Sequence, residues 1–111
     1  MVSVIIRNRN EEEYIGFAIQ SVIDFIPNSE ITIIDNNSTD SSLEIVNLFT
    51  PKIPIRTIKI DNYSPGKALN TGVKEATNDT ILILSAHSQI TKLPSIETMD
   101  FNSSNRDFRS K

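Results

Sequence analysis

Short apolar runs alternate with amphipathic segments along the first 85 residues of the chain. Three of the runs are β-branched and continuous, which predicts strands that are buried on both faces, and one run alternates in character. These predicted strands span residues 2–7, 30–35, 55–60 and 80–85. Between them, apolar residues recur at the spacing of a helix over residues 15–26, 43–49 and 67–76. The order β-α-β-α-β-α-β predicts an α/β fold with three layers (α/β/α) and a mainly parallel sheet.

Capping and turn signals lie between these predicted elements. Asn10 and Glu13 have the spacing of a capping box, which predicts that the first helix begins at Asn10. The same spacing of Ser41 and Glu44 predicts a capping box for the second helix. The segment "DNYSPG" predicts a turn before the third helix, in which Gly72 is an unfavourable residue.

The strand and helix pattern ends near residue 90. Residues 91–111 contain scattered apolar residues, many Ser and Asn residues and no period. We therefore predict one α/β domain at residues 1–90 and an irregular tail at residues 91–111, which reads as the stub of a truncated protein.

Composition and charge exclude several classes of protein. The formal net charge is −3, which argues against nucleic acid as a partner, because phosphate binding needs a basic face. The chain has no cysteine, which excludes disulfides, thiolate metal sites and a cysteine nucleophile. The start of the chain lacks the pattern of a signal peptide, and no apolar stretch reaches about 18 residues. The sequence therefore predicts a cytoplasmic protein.

Polar clusters follow three of the predicted strands. They are residues 7–10 after the first strand, 35–38 after the second and 85–88 after the fourth. Ligands of open parallel α/β sheets bind beyond the carboxyl ends of the strands, so we expect the three clusters to meet at one edge. The first cluster contains cations, the second an acid and amides, and the third the single histidine of the chain. Together they suit a nucleotide diphosphate, with polar groups for the base and ribose and positive charge or a metal for the phosphates.

Each cluster also has a structural alternative. Residues 35–40 are typical of an Asx turn and a helix cap, and Arg7 and Arg9 are compatible with solvated loop positions. His87 without neighbouring metal-binding residues is compatible with an exposed loop histidine. Residues 64–67, "SPGK", lack the spacing of a Walker loop, and neither a dinucleotide fingerprint nor a nucleophile elbow is present.

Two stretches of the chain resemble a known family. "VSVIIRNRNEEEYIGFAIQSVIDFIPNSEITIIDNNSTDSS" resembles the start of family 2 glycosyltransferases, which have the A-type nucleotide-diphospho-sugar transferase fold. "GKALNTGVKEATNDTILILSAH" resembles a later motif of that family, so the resemblance covers residues 2 to about 90. It implies a Rossmann-like half-domain, namely the N-terminal, donor-binding half of a glycosyltransferase. The first motif matches at Asn10, Ala18, Ser21, Val22, Glu30, Ile31, Asp35, Ser38 and Asp40.

The resemblance also implies roles for individual residues. His87 in "SAH" stands where the family usually has the metal-binding acid of Asp-x-Asp. An imidazole there can bind Mn²⁺, and suits it better than Mg²⁺; alternatively, a protonated His87 contacts the diphosphate and replaces the charge of the metal. The residues implied to bind the nucleotide-sugar are Arg7, Arg9, Asn10, Asp35, Asn36, Lys67, Ser85 and His87.

The activity that the resemblance implies is transfer of a sugar from a nucleotide-diphospho-sugar to an acceptor hydroxyl. The acceptor would be a glycan or a lipid-linked molecule in polysaccharide biosynthesis, which the sequence does not identify, and a peripheral location at the inner face of a membrane is compatible with that role. The catalytic base is expected beyond the end of the chain, so the hypothesis is a poorly active half. Alternatives are a flavodoxin-like receiver with Asp35 as phosphoacceptor, a non-catalytic nucleotide-binding module, and a fragment that folds with a partner chain or as an oligomer.

Overall fold

Five strands and three helices make up the described part of the chain. The computed structural model describes residues 1–87 and 98–100. Predicted positions of all four strands and all three helices up to residue 85 are confirmed to within a few residues. No helix among these residues is long and apolar enough to cross a membrane. The elements are β1 (Val2–Asn8), α1 (Ile15–Phe25), β2 (Ser29–Asp35), α2 (Ser42–Phe49), β3 (Ile55–Lys59), α3 (Pro65–Glu75), β4 (Thr80–Ser85) and β5 (Thr98–Asp100).

The five strands form one sheet in the order β3-β2-β1-β4-β5. β1 pairs in parallel with β2 and β4, and β2 pairs in parallel with β3. The predicted mainly parallel sheet is therefore confirmed. The chain runs outward from β1 to β3 and then returns to β4 on the other side of β1. The strand order thus reverses between β1 and β4, which is the position where ligands of open α/β sheets bind.

A short antiparallel strand occupies part of the segment for which we predicted an irregular tail. β5 has three residues and pairs with β4 through the register Leu82↔Thr98. A strand of this length has no sequence period of its own, because its pairing partner supplies its order. Residues 88–97 and 101–111, with the rest of the predicted tail, lie outside the described residues.

The sheet is covered by helices on both faces, which gives the three predicted layers. On one face, Val4 and Ile6 of β1 pack in a cluster with Ile15, Ile19 and other residues of α1 and α2. On the other face, Ile5 packs in a cluster with Ala68 of α3. Successive side chains of a strand point to opposite faces, so both halves of an uninterrupted apolar strand are buried.

α3 packs very close to β1 at Gly72. A Cβ atom built on Gly72 would lie 2.7 Å from Cγ2 of Ile5, which is closer than real atoms approach. The glycine therefore lowers the intrinsic helix propensity but permits a close contact between helix and sheet that a larger residue would disturb unless Ile5 or the helix shifts.

The helix starts differ from the predicted capping boxes. α1 begins at Ile15, and the residue before it, Tyr14, makes no side-chain capping bond. Ser41 precedes α2 but its side chain also makes no capping bond, so both predicted capping boxes are wrong. α3 begins earlier than predicted, at Pro65 in the expected turn, and the Ser64 hydroxyl accepts a hydrogen bond from the Lys67 amide at 3.1 Å. Proline is favoured in the first turn because its missing N–H group needs no partner there.

Candidate functional site

The strand register places the polar ends of β1, β2 and β4 next to one another. Asn8 pairs with Asp35 of β2, and Arg7 pairs with Ser85 of β4. Just beyond these pairs, the Asn36 and Ala86 amides donate to the Asn8 and Arg7 carbonyl oxygens, each at 2.9 Å. The predicted convergence of the three clusters at one edge is therefore seen in the backbone.

A cleft of about 280 Å³ opens at this edge, beside the position where the strand order reverses. Five of the eight predicted site residues line it, and three residues that sequence reasoning did not single out line it as well. We call it the carboxyl-edge cleft. Its lining residues within the described part of the chain are Arg7, Asn8, Arg9, Glu11, Asn36, Tyr63, Ser85 and His87.

Asp35 lies behind the cleft and not in its lining. Its side chain is 0% exposed. The carboxylate accepts hydrogen bonds from Nδ2 of Asn8 at 3.0 Å, from the Ser38 amide at 3.0 Å and from the Ser38 hydroxyl at 2.7 Å. A residue enclosed in this way supports the end of β2, and it is not accessible to a phosphodonor, which argues against the receiver alternative.

Asn10 also lies outside the lining and ties two loops together. Its φ angle is 50°, in the left-handed region that asparagine tolerates. Its Oδ1 accepts from the amides of Thr39 at 2.7 Å and Asp40 at 3.2 Å, and its own amide donates to the Ser38 hydroxyl at 2.9 Å. Asn10 therefore does not cap α1, contrary to the prediction; it binds the backbone of the loop between β2 and α2 instead.

Two acidic side chains strengthen this link between the loops. Oδ2 of Asp40 accepts from the Glu12 amide at 3.0 Å, and Oε1 of Glu12 accepts from the Ser41 amide at 2.8 Å. Burial raises the pKa of Asp40, but hydrogen bonds from Ser42 and from the Glu12 amide outweigh it and leave the pKa lowered. The two loops therefore hold one another beside the cleft.

Lys67, the third predicted site residue outside the lining, is exposed on the first turn of α3. Its Nζ donates to the Asp61 carbonyl oxygen. The lysine thus closes the turn before α3.

Two polar atoms of the cleft residues are buried without a hydrogen-bond partner in the described part of the chain. They are Oδ1 of Asn8, whose residue is 3% exposed, and Nε of Arg7. Nδ2 of Asn8 already donates to Asp35 and to Ser38, so the amide is fixed with Oδ1 as the unused acceptor. Buried polar atoms are nearly always paired, so these two are exceptions just behind the surface of the cleft.

His87 stands at the rim of the cleft and is held through one ring nitrogen. Its Nδ1 lies 3.1 Å from the Ser85 hydroxyl and 3.1 Å from Oε2 of Glu11, and its side chain is 61% exposed. Nε2 has no partner in the described part of the chain. Sequence reasoning missed the contact between Glu11 and His87, because the two residues are 76 positions apart and no local pattern links them.

Whether this site suits a divalent cation depends on Nε2 of His87 and on the ligands around it. The described residues contain no group of three or more His, Cys, Asp and Glu side chains that could hold a metal ion. Nε2 of His87 offers one ligand, and oxygen atoms of a diphosphate and water would have to supply the rest. A cation at this place would therefore depend on a bound diphosphate and water for all of its ligands except Nε2 of His87.

Comparison with known proteins decides the family. A family model described as "Glycosyl transferase family 2" matches residues 3–99, nearly the whole chain. The chain belongs to glycosyl transferase family 2. The resemblance predicted from the two motifs is confirmed, and the match to the family 2 model continues past residue 90 into β5.

Curated relatives in family 2 are much longer than this chain. The "Minor teichoic acid biosynthesis protein GgaA" of Bacillus subtilis is 36% identical over 83 residues, which are 69% of this chain and 19% of GgaA. The "Poly(ribitol-phosphate) beta-N-acetylglucosaminyltransferase TarS" of Staphylococcus aureus is 30% identical over 95 residues, 81% of this chain and 17% of TarS. The chain thus spans about a fifth of the length of these two relatives.

A solved structure confirms the fold. The crystal structure of S. aureus TarS 1–349 in complex with UDP-GlcNAc superposes with a TM-score of 0.74 and 28% identity, over 82% of this chain and 28% of that one. The likeness lies within the N-terminal part of TarS, as the predicted A-type, Rossmann-like half-domain requires.

Proposed function

We propose that the carboxyl-edge cleft binds a nucleotide-diphospho-sugar, as the donor-binding part of a family 2 glycosyltransferase. The observation that carries the proposal is the convergence of Arg7, Ser85 and His87 on one cleft at the reversal of the strand order. This position in an open α/β sheet binds ligands in general, and the chemistry of the lining selects among them.

The walls of the cleft match the parts of such a donor. The partly exposed side chains of Arg7 and Asn36 would bind the polar edge of a base or a ribose, and half-buried Tyr63 offers an aromatic face. The exposed guanidinium of Arg9 suits a diphosphate. Because TarS was solved with UDP-GlcNAc, a UDP-sugar is the first donor that we propose.

In the transfer reaction, negative charge develops on the diphosphate as the sugar leaves. Arg9 would stabilise that charge directly and His87 would do so through a bound cation, while Asn8 and Asn36 would fix the nucleoside end of the donor. Nε2 of His87 would contribute one ligand to a divalent cation, and such an ion would supply Lewis-acid stabilisation of the leaving group.

We further propose that the 111-residue chain binds the donor but transfers the sugar slowly. Among the described lining residues the only carboxylate is Glu11, and its Oε2 is engaged by His87. Deprotonation of an acceptor hydroxyl needs a free base. The names of the relatives, which refer to teichoic acid biosynthesis and to poly(ribitol-phosphate), favour a hydroxyl-bearing polyol-phosphate polymer as the acceptor. The cytoplasmic or membrane-peripheral location, the boundary at residue 90 and any partner chain stay predictions.

Calorimetric titration with UDP, UDP-GlcNAc and GDP-mannose, each with Mn²⁺ and with EDTA, tests donor binding. We expect binding of at least one donor at micromolar to millimolar concentration, and weaker binding to the Arg9→Ala variant. Arg56→Ala, which removes an arginine from the opposite edge of the sheet, is the matched control and should bind like the unmodified chain. Folded protein that binds no donor at millimolar concentration would refute the proposal, and rapid sugar transfer would refute slow turnover.

A further inference from the structure

We infer that Glu11 sets the tautomer of His87, keeping the proton on Nδ1 and leaving Nε2 as a free lone pair for a cation. The inference concerns the protein alone; only the identity of the bound cation's other ligands rests on the proposed function. Glu11 is thus a positioning residue that acts through His87.

The Ser85 hydroxyl and the Glu11 carboxylate both contact Nδ1 of His87, but only the carboxylate fixes which partner donates the hydrogen bond. The Ser85 hydroxyl can donate or accept, so it adapts to either tautomer. The Glu11 carboxylate only accepts when it is ionised. A bare Nδ1 would direct its lone pair at Oε2 from 3.1 Å, whereas a protonated Nδ1 forms a charge-assisted hydrogen bond at that distance. Glu11 therefore decides where the proton lies, and Ser85 follows.

The backbone around Glu11 holds the carboxylate in place. The Glu11 amide donates to the Ser42 hydroxyl at 3.0 Å, and its carbonyl oxygen accepts from the Ile15 amide at 2.8 Å. Its side chain is 27% exposed, whereas neighbouring Glu12 and Glu13 are exposed residues. The loop between β1 and α1 thus presents one of three consecutive glutamates to the histidine.

The pair of a neutral imidazole and a carboxylate carries one negative charge. That charge favours a divalent cation at Nε2 and disfavours a bare phosphate, because the carboxylate lies on the other side of the same ring. Histidines that bind metal through one nitrogen usually donate the other N–H to a carboxylate or carbonyl, which fixes their orientation and raises their basicity.

The tautomer can be read directly, because His87 is the only histidine of the chain. We would record long-range ¹⁵N–¹H correlation spectra of the ¹⁵N-labelled full chain at a pH where the ring is neutral. We expect a protonated-type shift at Nδ1 and an unprotonated-type shift at Nε2. In Glu11→Gln the amide can accept or donate, so the shifts should move toward a mixture of the two tautomers. Glu13→Gln removes a neighbouring charge without touching His87 and should keep the spectrum of the unmodified chain.

Cation affinity gives a second readout. In the presence of UDP, Glu11→Gln should bind Mn²⁺ about 10- to 100-fold more weakly than Glu13→Gln, as measured by paramagnetic broadening of the His87 signals. An Nε2–H tautomer in the unmodified chain, or equal tautomer populations in the two variants, would overturn the inference. Failure of UDP to bind would count against the proposed function, while the tautomer measurement without nucleotide would still decide this inference.

Discussion

Polar side chains cluster both at the amino-terminal ends of the strands (the amino edge) and at their carboxyl-terminal ends (the carboxyl edge). The two clusters differ in how their buried hydrogen-bonding atoms are paired. At the amino edge, Oε2 of Glu30 accepts from the Ser3 hydroxyl at 2.7 Å, from the Thr77 amide at 2.9 Å and from the Thr77 hydroxyl at 2.7 Å. At the carboxyl edge, buried atoms of Arg7 and Asn8 have no partner in the described part of the chain.

Cavity size does not separate the two edges. The amino edge has its own cleft of about 230 Å³ beside Glu30 and Arg56, against about 280 Å³ at the carboxyl edge. The difference lies in whether the buried polar atoms have hydrogen-bond partners within the chain. The hydrogen bonds of Glu30 end within the chain and stabilise the fold, whereas Oδ1 of Asn8 and Nε of Arg7 have no partner among the described residues. Functional sites commonly give up local stability in this way.

The largest effect on stability should come from the residue that supports the cleft from behind. Asp35→Ala removes a fully buried acceptor of three hydrogen bonds and should lower the free energy of unfolding by about 3 kcal/mol. Urea denaturation measures the change. Asp79→Ala, at an exposed position before β4, is the control and should change stability by less than about 0.5 kcal/mol. Equal effects of the two changes would show that Asp35 does not support the fold.

Loss of Glu30 should weaken the fold and leave the cleft intact. Glu30→Ala takes the acceptor from Ser3 and Thr77 and should cost about 1–2 kcal/mol of unfolding free energy. Donor affinity, measured by titration under conditions where both proteins are folded, should not change. A large loss of affinity in this variant would contradict the separation of roles between the edges.

The stability of the fold should depend on pH through the same carboxylate. Burial raises the pKa of Glu30, but hydrogen bonds from Ser3 and Thr77 and the charge of Arg56 outweigh it, so the pKa lies below its ordinary value of 4.5. Glu30 therefore stabilises the fold above pH 4.5, and this stabilisation is lost as the pH falls through the lowered pKa.

Thermal unfolding of the chain and of Glu30→Gln at several pH values between neutral and acidic tests this dependence. The variant should lose less stability than the unmodified chain as the pH falls. Asp40, whose pKa is also lowered, should keep part of the acid sensitivity in both proteins. Identical pH profiles would exclude Glu30 as a source of it.

The smallest effect on stability should come from the rim of the cleft. His87→Ala removes an exposed side chain, so the free energy of unfolding should change by less than about 0.5 kcal/mol. The increase in donor affinity that we expect Mn²⁺ to produce in the unmodified chain should be absent from this variant, while affinity in EDTA should stay near that of the unmodified chain. Marked destabilisation by His87→Ala would mean that His87 has a structural role.

Periodicity in the sequence was sufficient to predict the sheet and its helices. The apolar runs of β1, β2 and β4 are buried on both faces, so their hydrophobicity is continuous and their type is unambiguous. The edge at which Arg7, Asp35 and His87 lie then follows from parallel pairing alone. Nothing local in the three residues of β5 marks them as a strand.

The direction of individual side chains could not be predicted in the same way. Asp35 and Asn36 are neighbours, yet Asp35, the last residue of β2, is enclosed by Asn8 and Ser38, whereas Asn36, the first residue beyond the strand, lines the cleft. Asn10 fitted a local capping rule but bonds to residues 29 and 30 positions away. The contact of Glu11 with His87 likewise depends on the assembled sheet.

Gly72 has a consequence that reaches the mouth of the cleft. Because Gly72 has no side chain, α3 packs directly on Ile5. Tyr63, which comes just before the Ser64 cap of this helix, lines the cleft. A larger residue at position 72 would act as a wedge that lifts the helix and carries the tyrosine outward. The position of Tyr63 beside the cleft therefore depends on the absence of a side chain at position 72, on the face of the sheet opposite α1.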